Sequence, residues 1–355
     1  MQCLLPFSKK LNMEISCPIP VNDYPRIVMA HGGGGKLSNT LIEQVLLKEL
    51  DNPYLRQMHD GALLPVNGKI ALTTDSFVVQ PIFFPGGDIG ELAIYGTVND
   101  LVCCGSKPRY ISLGLILEEG LEVETLRQIV KSIRIAADKS GVAVVTGDTK
   151  VVEKGKGDKI FINTAGIGEQ MPGLDIHPVN IRPGDKIIIN GSIAEHGIAI
   201  LSSREGLQFG TEIQSDAAPM IGLLETIYKE TKEIHCMRDP TRGGLASACN
   251  ELAKSANLGI TLWESAIPLK EEVKGACEIL GFDPLYVANE GKMLFFVPDS
   301  VADMVLNCLQ NHPLGVNASI IGEVTDEKPL VKLKTVIGSH RIVDMISGEQ
   351  LPRIC

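Results

Sequence analysis

Four consecutive glycines near the start of the chain constrain its local fold strongly. They lie between His31 and Lys36, and the apolar residues after them, from Leu37 to Leu46, recur with the spacing of a helix face. Glycine lets the backbone approach a ligand closely, and a helix N-terminus presents unpaired N–H groups to phosphate oxygens. The pattern predicts a glycine loop that leads into a helix, with these candidate phosphate contacts: Gly32, Gly33, Gly34, Gly35 and Lys36.

The same glycine run has a plainer interpretation, a flexible surface loop, and the residues alone leave both open. The spacing GxxxxGK[ST] is absent, so the segment is not a P-loop. His31 opens the run and is a candidate phosphate or structural contact, and its part in catalysis stays open.

The remaining chain mixes strand and helix patterns without strict alternation. Residues 69–74 alternate as a strand that ends at Asp75, residues 88–91 form a capping-box pattern that opens a helix to about Cys104, and residues 142–145 form a strand that enters a Gly-rich turn at 146–150. This mixture predicts an α+β fold.

Length and punctuation divide the chain. With 355 residues and 44% hydrophobic content it can form two packed domains, and Pro172 and Pro178 favour a boundary near Met171. We expect four segments: a leader and Gly-rich loop (1–50), a first domain (51–170), a second domain (171–325) and a C-terminal tail (326–355).

Composition narrows the classes of function. Acidic residues outnumber basic ones 43 to 33 and no basic block occurs, which argues against a nucleic-acid surface. No apolar run approaches the roughly 20 residues that span a bilayer, and the N-terminus lacks a secretory signal, so we expect a cytoplasmic protein that binds no membrane. The nine scattered cysteines indicate neither a disulfide framework nor a zinc site.

Four aspartates occur where carboxylates often converge on a metal and a nucleotide, at a strand end, on a helix or in Gly-rich turns. Their oxygen atoms suit Mg²⁺ that bridges ATP phosphates, although each one alone is more often a cap or turn residue. The candidate metal ligands are Asp75, Asp100, Asp148 and Asp239.

The last residue is a cysteine, Cys355. A thiolate is a group that accepts an acyl unit, and a terminal position lets a tail deliver its load to a partner and return it to its own site. A lone terminal cysteine is otherwise an incidental thiol.

Several segments together resemble a known superfamily. TTDSFVV, YGTVNDLVCCG, VVTGDTKVV and MRDPTRGGLA are similar to the successive ATP and Mg²⁺ segments of the aminoimidazole ribonucleotide synthetase (PurM-like) superfamily. HGGGGKLSNTLI, the NEG segment at 289–291 and above all the ending PRIC resemble the HypE family of nickel-iron hydrogenase maturation proteins. The resemblance implies a PurM-like two-domain fold: a first-domain sheet that forms a barrel in a homodimer, a second α/β domain and a flexible C-terminal tail.

The resemblance also implies a reaction. A HypF carbamoyltransferase would load Cys355 with a carbamoyl group, ATP would drive its dehydration to a thiocyanate, and the cyano group would pass to iron on a HypC–HypD scaffold. The family pattern makes Glu290 the base and Lys150 the cation, with Asn99, Asp100 and Gly147 at the nucleotide. From the sequence alone, Glu290 looks like an exposed turn residue and Lys150 like a solvated charge. We expect residues 345–355 to enter the ATP cleft only when loaded, because a neutral thiocarboxamide loses less on desolvation than a thiolate.

Two other functions stay open. A selenophosphate-synthetase-like enzyme would need a reactive Cys or selenocysteine beside the glycine loop, where this chain has His31 and Lys36 but no thiol. A non-catalytic carrier would use the Cys355 tail alone, and the four aspartates argue against it because a carrier needs no nucleotide.

Overall fold

A computed structural model describes residues 24–33, 35–58, 61–207, 211–345 and 353–355. Gly34, one of the expected phosphate contacts, lies outside these residues. Within the described ranges, no helix is both long enough and apolar enough to cross a membrane.

The glycine loop leads into a helix, as its pattern predicts. A short 3-10 helix covers Met29–Gly32, and the helical stretch after it buries Leu41, Val45 and Leu50 against the first domain. It consists of α1 (Lys36–Leu41), a π-helical turn (Ile42–Leu46) and α2 (Leu47–Leu50).

The first domain has a four-stranded sheet in the order β1-β6-β4-β5. Strand β6 pairs antiparallel with both β1 and β4, whereas β4 and β5 are parallel. Its elements are β1 (Ile70–Phe77), β2 (Phe83–Phe84), β3 (Gly87–Asp88), α3 (Ile89–Cys103), β4 (Ser106–Glu118), α4 (Val123–Ser140), β5 (Ala143–Val152) and β6 (Ile160–Gln170).

Helix α3 lies against the sheet because glycines leave room for it. A Cβ atom on Gly166 would lie 2.7 Å from the Thr97 side chain, so a larger residue there would push the helix away. The side chain of Asp88 caps α3 by accepting from the backbone of Gly90 and Glu91, which confirms the helix start predicted at 88–91. The helix brings Asp100 over β1, where Thr73 donates to its carboxylate at 2.7 Å.

The second domain has a seven-stranded sheet in the order β13-β12-β9-β11-β7-β10-β8, flanked by five helices among the described residues. The paired strands β7 and β10 are almost fully buried and lie next to the edge strand β8. The elements are β7 (Lys186–Ile189), α5 (Glu195–Glu205), α6 (Ile221–Glu230), β8 (Cys236–Arg238), α7 (Gly244–Ala256), β9 (Gly259–Trp263), α8 (Glu271–Leu280), β10 (Leu294–Val297), α9 (Asp299–Gln310), β11 (Ser319–Thr325), β12 (Val331–Lys334) and β13 (His340–Ile342).

Two sequence-based boundaries are wrong. The expected tail at 326–355 contains β12 and β13, and β12 adds to the second sheet in parallel with β9 because Val331 and Leu333 bury their side chains there. The predicted turn at 146–150 is part of β5, where Gly147 pairs with Leu113. A Cβ on Gly147 would lie 2.5 Å from the Leu113 carbonyl oxygen, so this glycine serves close strand pairing.

The Asp88 cap provides a test of this packing. Asp88→Ala removes the acceptor for two backbone N–H groups and for Ser132, and we expect a loss of about 1–2 kcal/mol in the free energy of unfolding. Glu122→Ala is the matched control, because Glu122 occupies the cap position of α4 without a side-chain cap bond. Urea titration measures both, and equal losses would contradict the role of the Asp88 cap.

Candidate functional site

A cleft between the two domains collects most of the predicted acidic residues. This carboxylate cleft has a volume of about 300 Å³ and receives Asp75 from β1, Asp100 from α3, and Asp239, Glu290 and Cys355 from the second half of the chain. Its other lining residues are Thr74, Phe77, Gly96, Arg238, Thr241 and Arg242. The expected terminal cysteine and the expected base therefore share one cavity.

Glu290 is buried, with 4% of its surface exposed, so its interpretation as an exposed turn residue is wrong. The turn packs tightly against the preceding loop: a Cβ on Gly291 would lie 1.7 Å from the Asp216 carbonyl oxygen, and Glu290 donates its N–H to the Asp216 carboxylate at 3.1 Å. Its Oε1 has no hydrogen-bond partner among the residues that the structure describes. Burial first, and then the charges of Asp239, Asp216 and Asp75, raise the pKa of Glu290 well above its usual value.

The three aspartates of the cleft also hold their protons more tightly than usual. Burial is the main cause for each, and burial together with the like charge of Asp100 raises the pKa of Asp239 to about 6. Arg242 partly offsets this effect at Asp75 and Asp100. A cation bound beside these carboxylates would favour their ionised forms.

No group of three His, Cys, Asp or Glu side chains among the described residues is arranged to hold a metal ion by itself. Magnesium in nucleotide sites commonly takes one or two carboxylates and fills its shell with phosphate oxygens and water. The cleft therefore fits a magnesium ion that arrives with phosphates and does not form an all-protein metal cage.

The glycine loop lines a second cavity, also of about 300 Å³. This glycine-loop cavity is polar at His31, Gly32 and residues 146–150, and otherwise mostly apolar, lined by leucines of the helical stretch and of β4. A Cβ on Gly32 would lie 2.6 Å from the Val151 backbone nitrogen, so glycine is needed at that contact. Of the other expected phosphate contacts, Gly33, Gly35 and Lys36 do not line this cavity, although Gly33 directly follows Gly32 in the chain.

His31 has a structural place at the cavity wall. It is buried, its Nδ1 accepts from the Val28 N–H at 3.0 Å, and its carbonyl accepts from Ser38 at 2.7 Å. Burial lowers the pKa of His31, which favours the neutral ring. Within the described part of the chain, its Nε2 has no hydrogen-bond partner.

The structure does not bring all four aspartates together in one chain. Asp148 and Lys150 form an exposed ion pair of 2.9 Å on β5 beside Gly147 in the glycine-loop cavity. β5 and β1 are opposite edges of the sheet, separated by three strand spacings or roughly 14 Å. The carboxylate cleft thus contains Asp75, Asp100 and Asp239 together with Glu290 and Cys355. Asp148 and Lys150 do not line it.

Asn99, which was expected at the nucleotide, binds protein backbone in the structure. It is buried, and its amide donates to the carbonyls of Ala218 at 3.0 Å and Glu290 at 3.3 Å and accepts from the Met220 N–H at 2.8 Å. These bonds use both N–H groups of the amide on protein backbone. Asn99 therefore supports the Glu290 turn from α3.

Sequence reasoning missed several residues around Glu290. Lys292 is buried and pairs with Asp216 at 3.0 Å and with Glu195 at 3.2 Å. Lys292 is the second residue after Glu290, so its position was a signal, but nothing in the sequence links it to Asp216 or Glu195. Arg238 and Arg242 belong to the MRDPTRGGLA segment, whose basic residues were a signal for a site that binds negative charge.

The last three residues lie docked in the structure with Cys355 unmodified. Ile354 is 5% exposed in the core, and the terminal oxygen of Cys355 accepts from the Val78 N–H at 3.1 Å. The expectation that this end enters the cleft only when loaded is therefore wrong for residues 353–355, because apolar burial and backbone hydrogen bonds suffice to hold it. Residues 346–352 lie outside the described residues.

Comparison with known proteins agrees with the two-domain division. Residues 58–170 match the N-terminal domain of AIR synthase related proteins, and residues 182–332 match their C-terminal domain. The chain is 49% identical to carbamoyl dehydratase HypE of Azotobacter vinelandii over 331 residues, which cover 93% of this chain and 97% of that protein.

Solved structures extend the likeness. A crystal structure of the hydrogenase maturation protein HypE in complex with ATP aligns with a TM-score of 0.90 and 45% identity, covering 92% of this chain and 99% of that one. HypE in a HypE–HypF complex aligns with a TM-score of 0.77 and 49% identity, covering 86% and 99% of the two chains. With its two AIR synthase domains and a terminal cysteine in the cleft between them, the chain belongs to the HypE family, the carbamoyl dehydratases of hydrogenase maturation.

Proposed function

We propose that this carbamoyl dehydratase acts on its own last residue: it dehydrates an S-carbamoyl group on Cys355 to a thiocyanate and consumes ATP. The observation that supports this most directly is the shared cavity of Cys355 and Glu290, a thiol that can carry the group and a buried carboxylate whose pKa is raised. A HypF-type carbamoyltransferase would supply the carbamoyl group, since a relative forms a HypE–HypF complex.

The chemistry needs an oxygen to leave and two N–H protons to be removed. The amide oxygen takes the γ-phosphoryl group of ATP, ADP departs, and one N–H proton is lost. The C–O bond then breaks with release of phosphate while the nitrogen loses its second proton and the C≡N bond forms. The sum is loss of one water from the carbamoyl group and hydrolysis of one ATP to ADP and phosphate.

Glu290 is the base for these proton transfers in our proposal. Its raised pKa makes the ionised carboxylate a stronger proton acceptor than an ordinary glutamate, and the unpartnered Oε1 is available for the N–H group. Arg238 and Arg242 line the same cleft and would offset phosphate charge, with Mg²⁺ held by the phosphates and by Asp75, Asp100 or Asp239.

We place the nucleotide across two subunits. The glycine-loop cavity offers Gly32, Gly147 and an apolar wall for ATP, but within one chain it lies at the opposite sheet edge from the carboxylate cleft. A homodimer in which first-domain sheets close into a barrel would bring Asp148 and Lys150 of one subunit to the cleft of the other. The exposed sheet residues Leu72 (71% exposed) and Ile70 (49%) and the open edges β1 and β5 support this association.

The cyano group would leave the same sulfur for iron on a HypC–HypD scaffold, which completes the proposed path. Each transfer to a partner needs Cys355 outside the cleft, whereas dehydration needs it inside. The docked end is held by a few hydrogen bonds to its backbone oxygens, which suits such an exchange.

Replacement of the terminal cysteine tests the carrier. Cys355→Ser should abolish formation of the cyanated protein, because an oxygen replaces the sulfur that carries the group, while ATP binding and the unfolding temperature stay near wild type. Intact mass before and after ATP is the measurement, with the exposed Cys104→Ser as control. A cyanated Cys355→Ser protein would contradict the proposal.

Glu290→Gln tests the base. We expect single-turnover dehydration to fall by about 10²- to 10⁴-fold, and the wild-type rate to rise with pH through the raised pKa of Glu290 because only the ionised form accepts a proton. The exposed Glu230→Gln is the control.

The same variant has an expected effect on stability. Since the pKa of Glu290 is higher in the folded than in the unfolded protein, its ionisation costs stability as pH rises from the unfolded pKa through the folded one. Glu290→Gln should therefore unfold at no lower temperature than wild type at pH 8. Inactivity combined with a large loss of stability would speak for a structural role instead.

Mixed dimers test the shared site. Glu290→Gln and Lys150→Ala should each be inactive alone, and an equal mixture of exchanged subunits should regain about one quarter of wild-type activity if one site uses Glu290 from one subunit and Lys150 from its partner. Dehydration of pre-carbamoylated protein is the measurement. Absence of any recovery after verified subunit exchange would show that both residues act within one chain.

A further inference from the structure

The docked end of the chain is held through its backbone, and helix α5 supplies two of the side chains that hold it. Arg204 donates to the Arg353 carbonyl at 2.7 Å, and the Nε2 atom of His196 lies 2.6 Å from the Ile354 carbonyl oxygen. The N–H groups of Val78 and Gln80 bind the Cys355 terminal oxygen at 3.1 Å and the Arg353 carbonyl at 3.2 Å. All three terminal residues thus have a bound carbonyl or terminal oxygen.

The contacts of His196 assign its tautomer. The Ile354 carbonyl can only accept, so Nε2 carries the hydrogen, and Nδ1 accepts from the Ser215 hydroxyl at 2.8 Å. The Ser215 oxygen in turn accepts from the Ala217 N–H at 3.1 Å. Burial lowers the pKa of His196, in agreement with a neutral ring that has both nitrogens satisfied.

The same loop holds the base. Asp216, next to Ser215, accepts from the Glu290 N–H at 3.1 Å and pairs with Lys292. His196 therefore contacts, on one side, the residue before Cys355 and, on the other, the loop that positions Glu290. Binding of the tail to His196 therefore fixes the end of the chain relative to Glu290.

Arg204 connects the tail to the first domain. Its guanidinium donates to the Gln80 carbonyl at 2.8 and 2.9 Å as well as to Arg353. Arg353 has a φ of 58°, a left-handed conformation that is unfavourable for a residue with a side chain, so the docked end depends on contacts that offset this cost. The Arg353 side chain forms further contacts with Asp158 and Gln80.

We propose that His196 and Arg204 are positioning residues for the dehydration: they bind the backbone of the last residues and set the fraction of molecules in which Cys355 lies in the carboxylate cleft. Because these two side chains bind the carbonyl groups of Ile354 and Arg353, which the reaction does not change, they can hold the loaded and the unloaded tail alike. The inference rests on the proposed function for its consequence in catalysis, and on the docked structure alone for its consequence in exposure of the thiol.

The first measurement is the rate at which iodoacetamide alkylates Cys355 in the full-length protein, followed by mass spectrometry of the C-terminal peptide. Arg204→Ala and His196→Ala should each raise this rate about tenfold, since loss of a hydrogen bond to the tail raises the undocked fraction. His196→Gln should lie near wild type, because its amide can donate where Nε2 did. Arg182→Ala is the matched control, an arginine that also binds backbone carbonyls, those of Val179 and Ile181, away from the tail.

The second measurement is single-turnover dehydration of pre-carbamoylated protein, with ATP affinity alongside. Both alanine variants should dehydrate about tenfold more slowly at unchanged ATP affinity, and His196→Gln should recover most of the rate. Alkylation at the wild-type rate in Arg204→Ala and His196→Ala would overturn the proposal, whatever their thermal stability. Faster alkylation in a protein whose wild type forms no cyanated product would keep the docking role and refute the proposed function instead.

Discussion

The side-chain amide of Asn99 joins the two halves of the site, and the geometry around Glu290 depends on it. From α3 of the first domain it binds the backbone of Ala218, Met220 and Glu290 in two loops of the second domain. Because α3 also carries Asp100, one helix fixes a carboxylate of the cleft and the turn of Glu290, the proposed base, at the same time. Buried polar groups that share one amide leave little freedom for either loop to move alone.

This support allows an energetically costly group to persist. Glu290 is buried beside Asp239, Asp216 and Asp75, which all oppose its ionisation, while Arg242 acts in the other direction. Such an arrangement reduces the stability of the fold and is tolerated where a strong base is needed. The buried Lys292 pairs with Asp216 and Glu195 and offsets their negative charge. The negative charge of the carboxylates that line the cleft is left to interact with ligands.

The sequence predicted local structure well where the signal was local. The cap at Asp88, the helix after the glycine loop and the identity of the cleft carboxylates followed from short patterns and from the family resemblance. It failed where distant partners decide: Gly147 looked like a turn residue because its close contact is Leu113, and Glu290 looked exposed because its burial depends on Asp216. The tail boundary at 326 was wrong because β12 completes the second sheet beside β9, a partner far from it in the sequence.

The position of residues 353–355 illustrates the same limit of prediction from local sequence patterns. Cys355 alone suggested a mobile carrier, yet the neighbouring Ile354 is a core residue and Arg353 an ion-paired anchor, so three consecutive residues have three different tasks. Hydrogen bonds to the backbone oxygens of all three residues, the burial of Ile354 and the ion pair of Arg353 hold this end in place. In the proposed function, a carrier held this way can present a thiol, a carbamoyl or a cyano group to Glu290 while the contacts of His196, Arg204, Val78 and Gln80 stay the same, because these contacts are with backbone oxygens.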